Sequence, residues 1–121
     1  MKKSINTLIV TALAAYLVFI PGLASAETGI AVHYSDKFQG KKTANNEIFD
    51  QSGLTAAHKK LPYGTHVKVT NLQNNQSVVV KINDRMRTRN RNLIDVTKRA
   101  AEELGFLKKG RARVSLEVVN P

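Results

Sequence analysis

From Ala112 to Val118 the chain alternates strictly, with Ala112, Val114, Leu116 and Val118 separated by Arg113, Ser115 and Glu117. Successive side chains of a strand point to opposite faces, so this pattern predicts a strand with one face on a core and the other in water. Thr65–Thr70 repeats it, setting Val67 and Val69 against His66 and Lys68. Val78-Val-Val-Lys-Ile82 is more continuously apolar, which predicts a strand covered on both faces. Between the last two lies Gln73-Asn-Asn-Gln76, where Asn tolerates left-handed backbone and a hairpin turn is expected. Gly29–Ser35 is a further short β-like run, and Leu61-Pro-Tyr-Gly64 reads as a turn. One short helix fits, capped by Thr97, running through Ala100, Ala101 and Leu104, and stopped by Gly105. Short strands, one small helix and no internal repeat or linker point to a mainly β chain forming a closed or nearly closed small barrel.

Such a core must stand without covalent help, because the 121 residues contain no cysteine. Zero Cys also excludes thiol nucleophiles, Fe–S clusters and Cys-based zinc sites. His33, His58 and His66 are scattered, so no metal cluster is expected. The first 26 residues read as a cleaved secretory signal. Lys2 and Lys3 precede an apolar run from Leu8 to Ile20, Pro21-Gly22 breaks it, and Ala24-Ser25-Ala26 offers a small–x–small cleavage pattern. The expected mature domain is therefore 27–121, exported and not lipidated, with no stable membrane anchor after cleavage. Removing Lys2 and Lys3 from the formal +10 leaves +8. A cationic exported domain suits anionic polymers such as wall glycan, lipid headgroups or nucleic acid, and charge alone does not choose among them.

The acids narrow the choice. Lys42-Thr-Ala-Asn-Asn-Glu-Ile-Phe-Asp50 is a polar loop with Glu47 and Asp50 three residues apart, and Asp84 follows directly on the most apolar strand. A carboxylate at the end of a buried strand is half desolvated, which raises its proton affinity toward what a general acid needs near neutral pH. The same spacing also describes a turn-capping Asp paired with Arg85. Asp95, in Leu93-Ile-Asp95, is another acid behind apolar residues, and reads first as an N-cap of the following helix. His58, in Thr55-Ala-Ala-His58, is either a polar wall of a cleft or a satisfied core histidine.

Six segments in order carry a resemblance. They are Thr43-Ala-Asn-Asn-Glu-Ile-Phe-Asp50, Leu54-Thr-Ala-Ala-His58, Leu61-Pro-Tyr-Gly-Thr65, Val67-Lys-Val-Thr-Asn71, Val80-Lys-Ile-Asn-Asp-Arg85 and Leu93-Ile-Asp95. By them the chain resembles the rare lipoprotein A family from Gly29 to Val119. The resemblance implies a small six-stranded double-psi β-barrel with one or two short helices, related to that of expansins. It further implies an endolytic peptidoglycan lytic transglycosylase that cleaves the MurNAc–GlcNAc bond, leaves 1,6-anhydro-MurNAc and prefers strands without stem peptides. Carried over, the family's functional acids fall on Glu47, Asp50 and Asp84 and its functional His on His58. Asp95 matches the position of the catalytic Asp in expansin-like and related barrels. Two departures stand out: Asn46 replaces the family's Gly, and Asn83-Asp-Arg-Met-Arg-Thr88 replaces Asn-Asp-Arg-Gly-Pro-Phe.

Transglycosylation of this kind needs one carboxylic acid that protonates the glycosidic oxygen and then takes the C6 hydroxyl proton, with no metal or other cofactor. On this reading Asp84 is the acid/base, Glu47 and His58 orient sugar or tune it, Asp50 supports, and Asp95 is support or the rival acid. Arg87, Arg89 and Arg91 stand where they could meet muramoyl carboxylates, or simply form a solvated basic loop. The implied partners are peptidoglycan glycan strands, with division or wall-remodelling proteins as candidate recruiters, and the place of action is the periplasm or cell envelope. The alternative is a non-catalytic expansin-like module that binds and loosens glycan. A nucleic-acid-binding barrel explains the charge but lacks a stacking surface.

Overall fold

A computed structural model describes residues 26–120; the expected signal peptide lies outside the described residues. Among the described residues, six strands run in the order β1 (Glu27–His33), β2 (Thr55–His58), β3 (His66–Asn71), β4 (Ser77–Arg85), β5 (Ile94–Val96) and β6 (Arg111–Asn120), with one helix, α1 (Lys98–Glu103), before the last. A 3-10 turn at Asp36–Phe38 follows β1. The strands close as β1-β5-β2-β4-β3-β6. Pairs β1/β5 and β2/β4 are parallel, and the other four are antiparallel. The expected closed β-barrel is the observed one.

Closure follows from the alternation. Inward positions Ala31, Ala56, Val67, Val69, Val80, Ile82, Ile94, Val96, Val114 and Leu116 form one buried cluster, sealed by Ala100, Ala101, Leu104 and Phe106. Each large aliphatic taken out of water here contributes roughly 1.5–3 kcal/mol. The β3–β4 hairpin forms as expected, with Asn75 at φ 62°. It also holds the helix end, since Asn71 and Asn74 side-chain amides donate to Leu104 O at 2.9 and 3.1 Å. Gly105, at φ 78°, lies so close under Asn74 and Gln76 that a Cβ would stand 2.7 Å from Asn74 Nδ2. Thr97 caps α1, accepting from Ala100 N–H at 3.2 Å while donating to Gly53 O at 2.7 Å.

Two expectations are corrected. Strand β4 is covered on one face only from Ser77 to Ile82, with Val79 43% exposed between the buried Val78 and Val80. Asp95 is a residue of β5, and the N-cap of α1 is Thr97. Strands β2 and β5, of four and three residues, are too short for periodicity to mark them.

Candidate active site

The site begins with a break in alternation. Along β4, Val78, Val80 and Ile82 point inward, so Asp84 would continue into the core. It does not, because the β2–β4 register slips: Ala56 pairs with Ile82 but Ala57 pairs with Asp84. Asn83 is the extra residue, and a bulge of this kind re-aims the side chain that follows it. Ala57 in turn pairs with Asp95 across β5. Asp84 and Asp95 therefore flank Ala57 on the outer face, two strand spacings of about 4.8 Å apart. A second small buried cluster of Tyr34, Phe49, Ala57 and Met86 floors that face.

The two acids have opposite surroundings. Asp84 accepts three hydrogen bonds: Tyr34 O–H to Oδ2 at 2.7 Å, and the N–H groups of Ala44 and Arg85 to Oδ1 at 2.9 Å each. The Arg85 guanidinium turns elsewhere, donating to His58 O at 3.0 Å and lying 4.5 Å over the Tyr63 ring. The expected Asp84–Arg85 side-chain pair is absent. Asp95 Oδ1 is buried with no hydrogen-bond partner. Burial first, and the charge of Asp84 second, push the Asp95 carboxyl up to about 7. Burial, the hydrogen bond to Asp84 and the charges of both acids push the Tyr34 phenol upward, so it stays a donor.

Glu47 reaches this region through the loop that precedes β2. Thr43 N–H donates to Glu47 O at 2.7 Å, Asn46 N–H to Thr43 O at 2.9 Å, and Asn46 takes φ 72°. Asn is the non-glycine residue that best tolerates that conformation, so the loop keeps its tight turn. Glu47 then binds Lys81 Nζ at 2.7 Å and Asn83 Nδ2 at 3.1 Å. These two donors, Lys81 first, lower its proton affinity and keep it charged. Ala44 and Glu47 thus clamp the loop onto the bulge from both sides.

His58 and Asp50 are not brought into this arrangement. His58 follows Ala57 and so takes the opposite face, 4% exposed. Its Nδ1 accepts from the N–H groups of Lys60 and Leu61, each at 3.1 Å, and its Nε2 lies 3.2 Å from Glu27. Desolvation lowers its proton affinity, and the Glu27 charge opposes that. It pins the turn after β2. Asp50 is exposed and accepts from Ser52 N–H and O–H at 2.9 and 2.7 Å; those donors, the backbone one first, hold its carboxyl low.

The lytic transglycolase family matches residues 26–116 of this barrel. The chain belongs to that family. It is 44% identical over 95 residues to the endolytic peptidoglycan transglycosylase RlpA of Neisseria meningitidis, covering 78% of this chain and 40% of that protein. To the RlpA of Rickettsia bellii it is 50% identical over 97 residues, covering 78% and 43%. The chain thus spans about two fifths of the length of these two relatives. An expansin from Clavibacter michiganensis in complex with cellohexaose shares the fold at TM-score 0.60 and 20% identity, covering 79% of this chain and 52% of that one.

The loop after Asp84 divides by burial. Met86 is buried in the outer cluster, and Arg87, Arg89 and Arg91 are all exposed, with no ion pair among the described residues. Residues that the sequence reading missed are Tyr34, Lys81 and Asn83. A buried Tyr seeks a partner for its O–H, and Lys81 interrupts an apolar strand; both were signals of a polar outer face.

Proposed function

We propose that this chain is an exported, endolytic peptidoglycan lytic transglycosylase domain that works on the Asp84–Asp95 face. The single observation that carries the reading is the asymmetry of that pair: one carboxylate with three donors, its neighbour with a buried oxygen and none. A carboxyl cut off from water and donors is cheaper neutral than charged. Sequence reasoning gives the acid/base role to Asp84 and makes Asp95 the rival; the asymmetry favours exchanging them. Asp95 then carries the proton near neutral pH and gives it to the glycosidic oxygen between MurNAc and GlcNAc. As the C1–O bond breaks, the adjacent Asp84 carboxylate stabilises the positive charge left on the sugar. Asp95, now basic, takes the proton of the C6 hydroxyl, whose oxygen bonds to C1 and closes the 1,6-anhydro ring. All bonds and protons balance without water entering.

Glu47 acts by holding the loop that delivers Ala44 N–H to Asp84. Asp50 and His58 act through backbone turns rather than on sugar. The exposed Arg loop favours strands stripped of stem peptides, whose lactyl carboxylates are free. Family membership and the relatives' names support the activity, and the signal-like first 26 residues support action in the periplasm or cell envelope. The test is incubation of the purified protein with amidase-treated peptidoglycan, read by mass spectrometry for anhydro ends. Asp95→Asn should lower their release by about 10²–10⁴-fold, the usual worth of general acid–base help. Binding without anhydro ends from the wild type would favour the expansin-like alternative.

A further inference from the structure

We propose that Tyr34 is a positioning residue for the carboxylate pair: its O–H holds Asp84 as the charged member and so keeps the pair's single proton on Asp95. The inference rests on the reading of Asp84 and Asp95 as the reacting pair, and nothing in the sequence motifs assigns Tyr34 a role.

Its geometry is over-determined. The residue is buried, and its phenol oxygen lies 2.7 Å from Asp84 Oδ2. The ring packs 4.3 Å from Phe49 between centroids and takes Phe38 edge-on at 5.9 Å. Its backbone is tied on both sides, Tyr34 N–H donating to Val96 O and Gln51 Nε2 donating to Tyr34 O, each at 3.0 Å. The phenol therefore has one place to point. Because burial keeps it protonated, it is a donor throughout the working pH range.

A hydrogen bond donated to a carboxylate favours its charged form, and two neighbouring carboxyls place a shared proton on the one with fewer donors. The groups that face the pair are Tyr34 from the end of β1, Asp84 from β4 and Asp95 from β5. The nearby cations are turned away, Lys81 to Glu47 and Arg85 to His58 O and the Tyr63 ring. Among the described residues, the donors on Asp84 are thus Tyr34 and two backbone amides, and Tyr34 is the one that a substitution removes cleanly.

Tyr34→Phe keeps the ring on Phe49 and deletes only that donor. Release of anhydro ends should fall about 10- to 100-fold, the span of a hydrogen bond to a charged group, while binding to sacculi stays as in the wild type. The deciding readout is carbon-13 NMR of the side-chain carboxyls. In the wild type the Asp95 carbon should show its step near pH 7; in Tyr34→Phe that step should move to lower pH, because the neighbouring Asp84 charge that helps raise it is held less firmly. A variant whose Asp95 carbon titrates as in the wild type overturns the proposal, whatever its activity. If the wild type releases no anhydro ends, the functional reading fails separately, and the titration still decides for or against Tyr34.

Discussion

The two halves of β4 obey different rules. From Ser77 to Ile82 the strand alternates, burying Val78, Val80 and Ile82 and exposing Val79. From Asn83 to Arg85 the register against β2 slips by one residue, and an acid that alternation aims at the core emerges on the outer face. The first half builds the barrel and the second builds the site. The difference teaches that here the carboxylate pair is placed by breaking the pattern that makes the fold, at a strand end where β3 no longer pairs and a loop can reach in.

Removing the break should have the largest effect. Inserting one Ala between Ala56 and Ala57 gives Asn83 a partner on β2, removes the slip and drives Asp84 toward Val80 and Ile82, where an unpaired buried charge costs on the order of 5 kcal/mol. The insertion variant should fail to unfold cooperatively in urea, or do so at a much lower midpoint. A stable, wild-type-like melt would mean that Asn83 does not aim Asp84.

The next effect concerns the outer face. Folding raises the Asp95 carboxyl from 3.8 to about 7, so between those values the folded protein holds a proton that the unfolded chain has lost. Stability therefore falls as pH rises through that window. At 1.36 kcal/mol per pH unit the full difference at pH 8 is about 4 kcal/mol as an upper bound. Asp95→Asn should remove it, stabilising the protein at pH 8 and leaving it unchanged at pH 4. Equal urea midpoints for variant and wild type at pH 8 would show that Asp95 is not starved of partners.

Within the regular half the expected effects shrink. Ile82→Val should cost about 1 kcal/mol through the lost methylene and its cavity, whereas Val79→Ala, on the exposed face, should stay within about 0.5 kcal/mol. Thermal melts that ranked them the other way would reverse the faces of β4. The smallest effect lies beyond the strand. Replacing Arg87, Arg89 and Arg91 together by Gln should weaken sacculus binding at low salt only, since screening acts over about 8 Å at physiological ionic strength. Turnover of bound glycan should hardly change, and binding equal to wild type at low salt would make these arginines a solvated loop.

The parts of the fold that could be read directly are those where one local pattern decides. Strand β6, the β3–β4 hairpin and the Thr97-capped helix follow from period, turn chemistry and capping, which act over a few neighbours. The site was legible as a set of acids and not as an arrangement. Asp50 and His58 sit in motif segments beside Glu47 and Asp84, yet they serve Ser52 and the Lys60–Leu61 turn.

By itself the sequence determined a β-rich chain without disulfides, its inward faces, and family membership through six ordered segments. Only the tertiary structure decided which acids share a face, because that depends on a one-residue slip between β2 and β4 that composition and period do not encode. It also decided which of the two is supplied with hydrogen-bond donors, since these come from three separate places: Tyr34 just after β1, Ala44 in the loop and Arg85 on β4. A carboxyl's proton affinity is set by what lies around it in space, and those neighbours meet only when the barrel closes.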